Sequence, residues 1–323
     1  MDSIFRKPPM TRRTGVARSG STAIDGGQIK IDLPLDFLVA EHRVFVEVSQ
    51  AFSVLPTLTD VRRMFSKVEL TSNQGTHYTG DFYQVYDASR FTERSTTPVI
   101  AVGASPCTAK FNFEIHHIND ASKLDLLTAL KTNKLSSLQL VLTLNADNAN
   151  LFLNGTNSAA AEVRAYVQGR EYPTLTNDPN LGIAQHLFAH LAERKGVAAA
   201  DSFDVNLKAG GKIRHLFVHT FDMATGLPAD GVLDKFNLSI GGVERIKNES
   251  FADLQQDNEA IRGLKVAGLS VIDFGDDPSQ WPEITGDMGE VKLEFTSLAT
   301  APASWKARVA QDWTVGLDRL GVQ

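Results

Sequence analysis

Period-two alternation constrains this chain more than any other feature. Apolar and polar residues trade places in QIKIDL (28–33), RVFVEV (43–48), KFNFEI (110–115), LQLVLTL (138–144) and EVRAYV (162–167). They do so again in IRHLFVHTF (213–221), KFNLSI (235–240), GLSVIDF (268–274), EVKLEF (290–295) and WKARVAQDW (305–313). Side chains of an extended backbone point alternately to its two faces, so each segment reads as a strand with one dry and one wet face. Many short strands separated by turn residues describe an all-β sandwich or barrel. A βαβ fold would need a helix after nearly every strand, and helical patterns here are few.

Two segments predict longer helices. NDASKLDLLTALKTNK (119–134) sets Leu124, Leu127 and Leu130 on one face, with Asn119 or Asp120 as cap. NDPNLGIAQHLFAHLAERKG (177–196) offers Asp178 as N-cap, Pro179 at the first helical position, a stripe of Leu181, Ala184, Leu187, Phe188 and Leu191, and a stop at Lys195 and Gly196. The second of these stands between two strand-rich halves. The expected organisation is therefore a basic N-terminal arm (1–27), an N-terminal sandwich (28–172), a helical connection (173–202) and a C-terminal sandwich (203–323).

The halves repeat each other in order. RVFVEV aligns with HLFVHT at a spacing of 172 (Phe217 minus Phe45), and FSKVEL aligns with KFNLSI at 170 (Leu238 minus Val68). GDFYQVYDASRF aligns with ESFADLQQDNEAI at 169 (Phe251 minus Phe82), and VRAYV meets WKARV at 142 (Val309 minus Val167). In the third match Asp81 and Ser250 fall just before the aromatic that opens a short helical turn. Both accept hydrogen bonds from free backbone N–H groups, so the capping role survives the change of residue type.

Charge divides the chain differently. Net charge is −6, yet residues 1–27 carry Arg6, Lys7, Arg12, Arg13 and Arg18 against Asp2 and Asp25, which is +3 and leaves −9 for the body. A body of that sign repels nucleic acid, so no nucleic-acid readout is expected, whereas the basic arm suits an anionic membrane or an acidic neighbour. No run approaches the ~20 apolar residues of a membrane span, and MDSIFRKPPMTRRTG lacks the apolar core of a secretory signal, which predicts synthesis in a cytoplasm. The single cysteine, Cys107, excludes an intramolecular disulfide, so packing must supply the stability.

GGKIRHLFVHTFDMATGLPADGVLDKFNLSIGGVERIKNESFADLQQDNEAI, followed by GLSVIDFGDD, resembles the C-terminal jelly roll of the double jelly-roll major capsid proteins of the tectivirus and adenovirus lineage, which includes tailless, membrane-containing bacteriophages. The resemblance implies two tandem eight-stranded jelly-roll sandwiches with a few short helices. It further implies a structural virion protein that forms homotrimers, pseudo-hexagonal capsomers that tile an icosahedral shell, and contacts to neighbouring capsomers and to minor or penton capsid proteins. Its basic arm is expected to face an internal membrane or adjacent subunits, and its localisation is the virion. The rivals are a double-sandwich glycan-acting hydrolase, either glycosidase or amidase, and a sugar-binding sandwich module.

Candidate chemistry is sparse. On a helix His186 and His190 would share a face, but HLFAH lacks the Glu of a zinc-protease motif and has no evident third ligand. His116 and His117 are adjacent on a strand and point oppositely, and His215 and His219 lie roughly 13 Å apart along one face, too far for one ion. Asp273, Asp276, Asp277 and Glu283 gather acids around a turn without calcium-loop spacing. Cys107 in GASPC reads as a loop thiol, and the NGT at Asn154 matches a glycosylation acceptor without a secretory context. Trp281, Trp305 and Trp313 suit either a sugar-stacking surface or the space between sheets. No catalytic, cofactor-binding or metal residue is assigned, and no cofactor is expected.

Overall fold

The structure is a computed structural model that describes residues 10–14, 18–19, 27–50, 57–93, 101–102, 107–118, 125–145, 162–172, 175–263, 265–275, 279–285 and 291–316. The chain divides into two compact units, Met1–Arg90 with Thr97–His186, and Phe91–Thr96 with Leu187–Gln323.

The principal strands of the first unit are β1 (Met10–Thr14), β2 (Gln28–Asp32), β3 (Leu38–Gln50), β4 (Phe65–Ser72), β5 (Gly75–Gly80), β6 (Cys107–His116), β7 (Leu138–Leu144) and β8 (Glu162–Tyr172). They form one sheet in the order β1-β8-β3-β6 and a second in the order β2-β7-β4-β5. Those of the second unit are β9 (Gln185–Val197), β10 (Ser202–Asn206), β11 (Gly211–Asp222), β12 (Leu233–Ile240), β13 (Val243–Ser250), β14 (Leu269–Asp273), β15 (Val291–Ser297) and β16 (Ser304–Val315). Their sheet orders are β9-β16-β11-β14 and β10-β15-β12-β13. Adding eight to each label of the first unit reproduces the second, and the order in both is that of the jelly roll.

The helices repeat too. After a short α1 (Leu58–Arg62), α2 (Phe82–Glu93) lies between β5 and β6, and α3 (Phe251–Arg262) lies between β13 and β14. All four aligned pairs of sequence segments fall on corresponding elements: β3 with β11, β4 with β12, α2 with α3, and β8 with β16. Both caps are made: the Gln84 N–H donates to Asp81 Oδ1 at 3.0 Å and the Asp253 N–H donates to Ser250 Oγ at 3.3 Å.

Alternation places the cores as expected. In the first unit Val44, Val46 and Val48 of β3, Val68 and Leu70 of β4, and Leu140 and Leu142 of β7 are wholly buried. Phe82 opens α2 by packing its ring on Phe65 of β4 and on Phe111 and Phe113 of β6, so one residue ties both sheets together. In the second unit Phe251 packs on Phe236 of β12 and Phe295 of β15, within a core that also holds Leu238, Leu293 and Trp305.

Three expectations change. The helix expected over 177–196, and with it the helical connection, is replaced by a turn and then strand β9. Asp178 does cap, but it caps the turn, accepting from the Asn180 N–H at 2.9 Å. Gly196 does not stop a helix. A Cβ there would sit 2.1 Å from the Trp305 ring, so glycine is the residue that lets the indole lie across the strand. The helix expected over 119–134 is instead two 3-10 turns, Asp125–Leu127 and Thr132–Lys134, around a short bridge at Leu130–Lys131, with residues 119–124 outside the described set. Leu126 and Ala129 pack there against Leu38, Ala40 and Ile118. Finally, Met10–Thr14 of the expected arm is strand β1, paired antiparallel with β8 from Met10↔Arg170 to Thr14↔Tyr166.

Candidate functional site

The outward face of the first unit's β6-β3-β8 sheet carries a buried ionic lattice. Register sets Arg43 opposite Glu114 and Glu41 opposite both His116 and Arg170. The Arg43 guanidinium contacts the Glu114 carboxylate, and Arg170 Nη2 lies 2.8 Å from Glu41 Oε2. His116 Nε2 is 3.4 Å from Glu114 Oε2. Glu41 and Glu114 are 1% and 3% exposed, which only paired carboxylates tolerate. Ligand atoms of Glu41, Glu114 and His116 lie within 4.8 Å of one another, the one group among the described residues with the make-up of a metal centre. Two guanidiniums already neutralise its two carboxylates, so a cation would have to displace arginines to enter.

On the other side of the same strands, His42 Nδ1 and His117 Nε2 are hydrogen-bonded at 2.9 Å, their rings edge-on. Burial lowers the pKa of His42 to about 4. It also pushes His117 well below the usual imidazole range, helped by the charges of His42, His186, His77 and His116. A cavity of about 180 Å³ opens beside them, bounded by His77, His117, Gln185, His186, Lys131 and Lys134. His77, also lowered by burial, bonds Ser72 Oγ at 2.7 Å and Gln185 Nε2 at 2.5 Å. His186 Nδ1 donates to the His116 carbonyl at 2.6 Å.

The second unit holds a smaller counterpart. His215 donates from Nδ1 to Asp312 Oδ2 at 2.7 Å, and its Nε2 lies 3.3 Å from Asp273 Oδ1. Arg262, from α3, reaches Asp273 Oδ2 with Nη2 at 2.6 Å and Nε at 3.0 Å. Burial alone would raise the Asp273 carboxyl, but hydrogen bonds and charge from His215, then the bond from Arg262, outweigh it and hold the group far below the carboxylate range. Both edges of the buried His215 ring face carboxylates, Asp312 at Nδ1 and Asp273 at Nε2, so the ring serves this ion-pair cluster.

The residues singled out from sequence fall as follows. His116 and His117 do point oppositely, one into the ionic lattice and one onto His42. His186 and His190 lie on strand β9, where four residues span too far for one ion, and His190 is exposed. Asp273 is an ion-pair partner, while Asp276 and Asp277 lie outside the described residues. Glu283 sits in the short strand Glu283–Ile284, opposite Lys212. Cys107 begins β6, opposite Gln50, with its side chain outside the described set, as Asn154 is entirely. All three tryptophans are interior: Trp281, Trp305 and Trp313 are 4%, 0% and 8% exposed. Trp305 Nε1 donates to the Val197 carbonyl at 2.9 Å and its ring fills the core of the second unit, while Trp281 Nε1 donates to the Gly275 carbonyl at 2.8 Å and its ring is buried beside that loop, so neither forms a sugar platform. Sequence inspection missed Glu41, Arg43, Glu114, Arg170, Asp312 and Arg262. One signal was available: at the spacing of 172, Arg43 aligns with His215.

No family model and no curated protein sequence matches the chain. Solved structures do, over nearly its whole length. The STIV MCP superposes with a TM-score of 0.70 at 15% identity, covering 98% of this chain and all of that one. The major capsid protein P2 from Bacteriophage PM2 gives 0.61 at 12%, covering 95% and 98%. PBCV-1 VP54, as fitted into a reconstruction of the virophage Sputnik, gives 0.59 at 12%, covering 95% and 94%. The fold is therefore that of the double jelly-roll major capsid proteins.

Proposed function

We propose that this chain is a major capsid protein, a structural and non-enzymatic component of an icosahedral virion. It associates as a homotrimer whose six similar sandwiches make a pseudo-hexagonal capsomer. The observation that carries this reading is the element-for-element repeat of the jelly roll, β1–β8 on β9–β16 with α2 on α3, across a chain that matches capsid proteins from end to end. A closed ring of three chains with two like lobes each fills a near-hexagonal tile with little distortion. Neighbouring capsomers and vertex proteins are the further partners, and the shell overlies an internal membrane that the basic N-terminal residues approach.

The test is the mass of the purified protein in solution. A particle of three times the 35.2 kDa chain is expected, and a monomer at every concentration sinks the proposal. Removal of residues 1–9, which leaves strand β1 intact, is expected to spare the trimer and impair shell formation. Unchanged particle yield would separate the arm from assembly.

A further inference from the structure

The two units share one frame but not one pattern of exposure. On α2 every residue from Phe82 to Phe91 is buried, polar Gln84, Asp87, Ser89 and Arg90 included. On α3, at the same place in the second frame, only Phe251, Asn258 and Arg262 are buried. Asp253, Asp257, Glu259 and Ala260 are exposed, and Ile261 is 65% exposed. The outward sheet faces show the reverse. In the second unit His215, Phe217 and His219 of β11 are buried, and Phe91 and Phe188 each place a ring 5.9 Å from that of Phe217. In the first unit the corresponding Arg43, Phe45 and Glu47 of β3 are half-buried, with Lys110 of β6 and Arg164 of β8 exposed on either side. One frame thus has a buried helix and a half-exposed sheet face, and the other a buried sheet face and an exposed helix.

From these complementary surfaces we infer that the exposed face of α3 in one copy docks on the outward β6-β3-β8 face of the first unit of the next copy. This deepens the capsomer reading and rests on it. The occupant is a second copy of this chain because the chain itself carries both halves of the contact. The α3 face presents three carboxylates, Asp253, Asp257 and Glu259, of which Glu259 pairs with Lys265 just beyond the helix at 3.3 Å, while Arg262, the one base on the helix, is buried against Asp273. On the sheet face Lys110 pairs with Glu47 at 2.9 Å and Arg43 with the buried Glu114, yet the cations, Lys110 and Arg164 above all, are the more exposed members, so the charge offered to solvent is positive and opposite in sign to that of α3. Ile261 supplies an apolar anchor to the half-buried rings of Phe45 and Tyr166 between those charges. A contact joining different surfaces of identical chains is heterologous, and such contacts close into rings when the rotation permits.

The experiment reads solution mass for the full chain, with circular dichroism and melting as controls for folding. Three variants are compared with wild type: Ile261→Asp, the helix reversal Asp257→Lys with Glu259→Lys, and the sheet reversal Lys110→Glu with Arg164→Glu. A fourth combines the two reversals. Each of the first three is expected to raise the dissociation concentration roughly tenfold or more while staying folded, and the combined variant is expected to regain association. Folded variants that trimerise like wild type overturn this interface and leave the capsid reading standing, as does a combined variant no better than either reversal alone. A wild-type chain that is monomeric throughout overturns both.

Discussion

Arg43 faces Glu114 in the first unit, and His215 faces Asp273 in the second, on the same rung of two sheets built alike. In the first unit the guanidinium comes from the sheet itself. In the second an imidazole takes that place, and the guanidinium, Arg262, arrives from α3. The helices are tied down in parallel fashion. Ser89 Oγ of α2 accepts from the Glu114 N–H of β6 at 2.8 Å, and Asn258 of α3, at the aligned position, bonds the backbone of Val271 in β14 at 2.8 and 2.9 Å. The two frames share the demand, a buried acid that must be met and a helix that must be held, while the residues that satisfy it differ. Such a repeat is therefore found by role and position rather than by identity.

The comparison breaks first, if it breaks, in the core. Phe82 is fully buried among four rings, Phe65, Tyr86, Phe111 and Phe113, whereas Phe251 touches two and retains some exposure. Phe82→Ala is expected to cost about 4 kcal/mol and Phe251→Ala about 3 kcal/mol, read from urea unfolding of the purified chain. Equal losses would mean that the two helix openings are energetically interchangeable. Acid sharpens the contrast next. His42 and His117 are neutral when folded and protonate when unfolded, so the unfolded state binds more protons as pH falls below 6.5. Their stabilisation is complete above that value and is lost on descent, by about 3 kcal/mol at pH 4 for a group shifted as His42 is. Asp273, shifted below its usual 3.8, keeps its contribution until the pH falls below about that value. The first unit should thus loosen between pH 6.5 and 4 over a range where Asp273 holds steady. Substituting His42 and His117 by Gln should flatten the slope of stability against pH, and a slope unchanged by the substitutions would assign the acid response elsewhere.

What sequence made legible follows from how local each signal is. Alternation is local, so strands burying a clean face, such as LQLVLTL and EVKLEF, were readable in isolation, and so was the repeat built from them. The opening strand of each unit was not. MTRRT in β1 has no apolar alternation at all, and QHLFAHLAERKGV in β9 spaces its apolar residues as a helix would, with only Phe188 fully buried. Both are strands because a neighbour supplies the pairing: β8 for the first, and β16 for the second, where Arg308 Nε bonds Glu193 at 2.8 Å. Tertiary context overrides propensity in such cases. The ionic lattice was hidden for a related reason. Glu41, Glu114 and Arg170 come from three strands far apart in sequence, and only register brings them to one rung.

Ion pairs offer a smaller lever on the comparison. Arg43→Met leaves the Glu114 carboxylate, 3% exposed, without its guanidinium; since Arg43 is itself about a third exposed, a loss of about 2 kcal/mol is expected rather than the larger cost of breaking a wholly buried pair. His215→Leu leaves Asp273 still held by Arg262 but takes the Nδ1–H from Asp312, 4% exposed, so a loss of about 1–2 kcal/mol is expected. If His215→Leu proves costlier than Arg43→Met, the imidazole is what satisfies the acids of the second unit, and the helix-borne arginine does not replace it.

The helix caps give the smallest effect and the most direct test of duplication by role. Asp81 and Gln84 cap α2 reciprocally, each side chain accepting from the other's backbone N–H at 3.0 and 3.3 Å, whereas Ser250 accepts from Asp253 alone at 3.3 Å. Truncation to Ala at either position removes an acceptor from the first turn and is expected to cost about 1 kcal/mol, with Asp81 at the upper end because its partner loses an orienting contact as well. The exchange Asp81→Ser and Ser250→Asp should be close to neutral. Each residue type satisfies the same orphan N–H groups, and although an aspartate at 250 would sit near Asp253, the positive end of the α3 dipole offsets that repulsion. Were the exchange to cost as much as truncation, the two caps would be adapted to their own units rather than inherited from a common one, and the alignment of α2 with α3 would rest on shape alone.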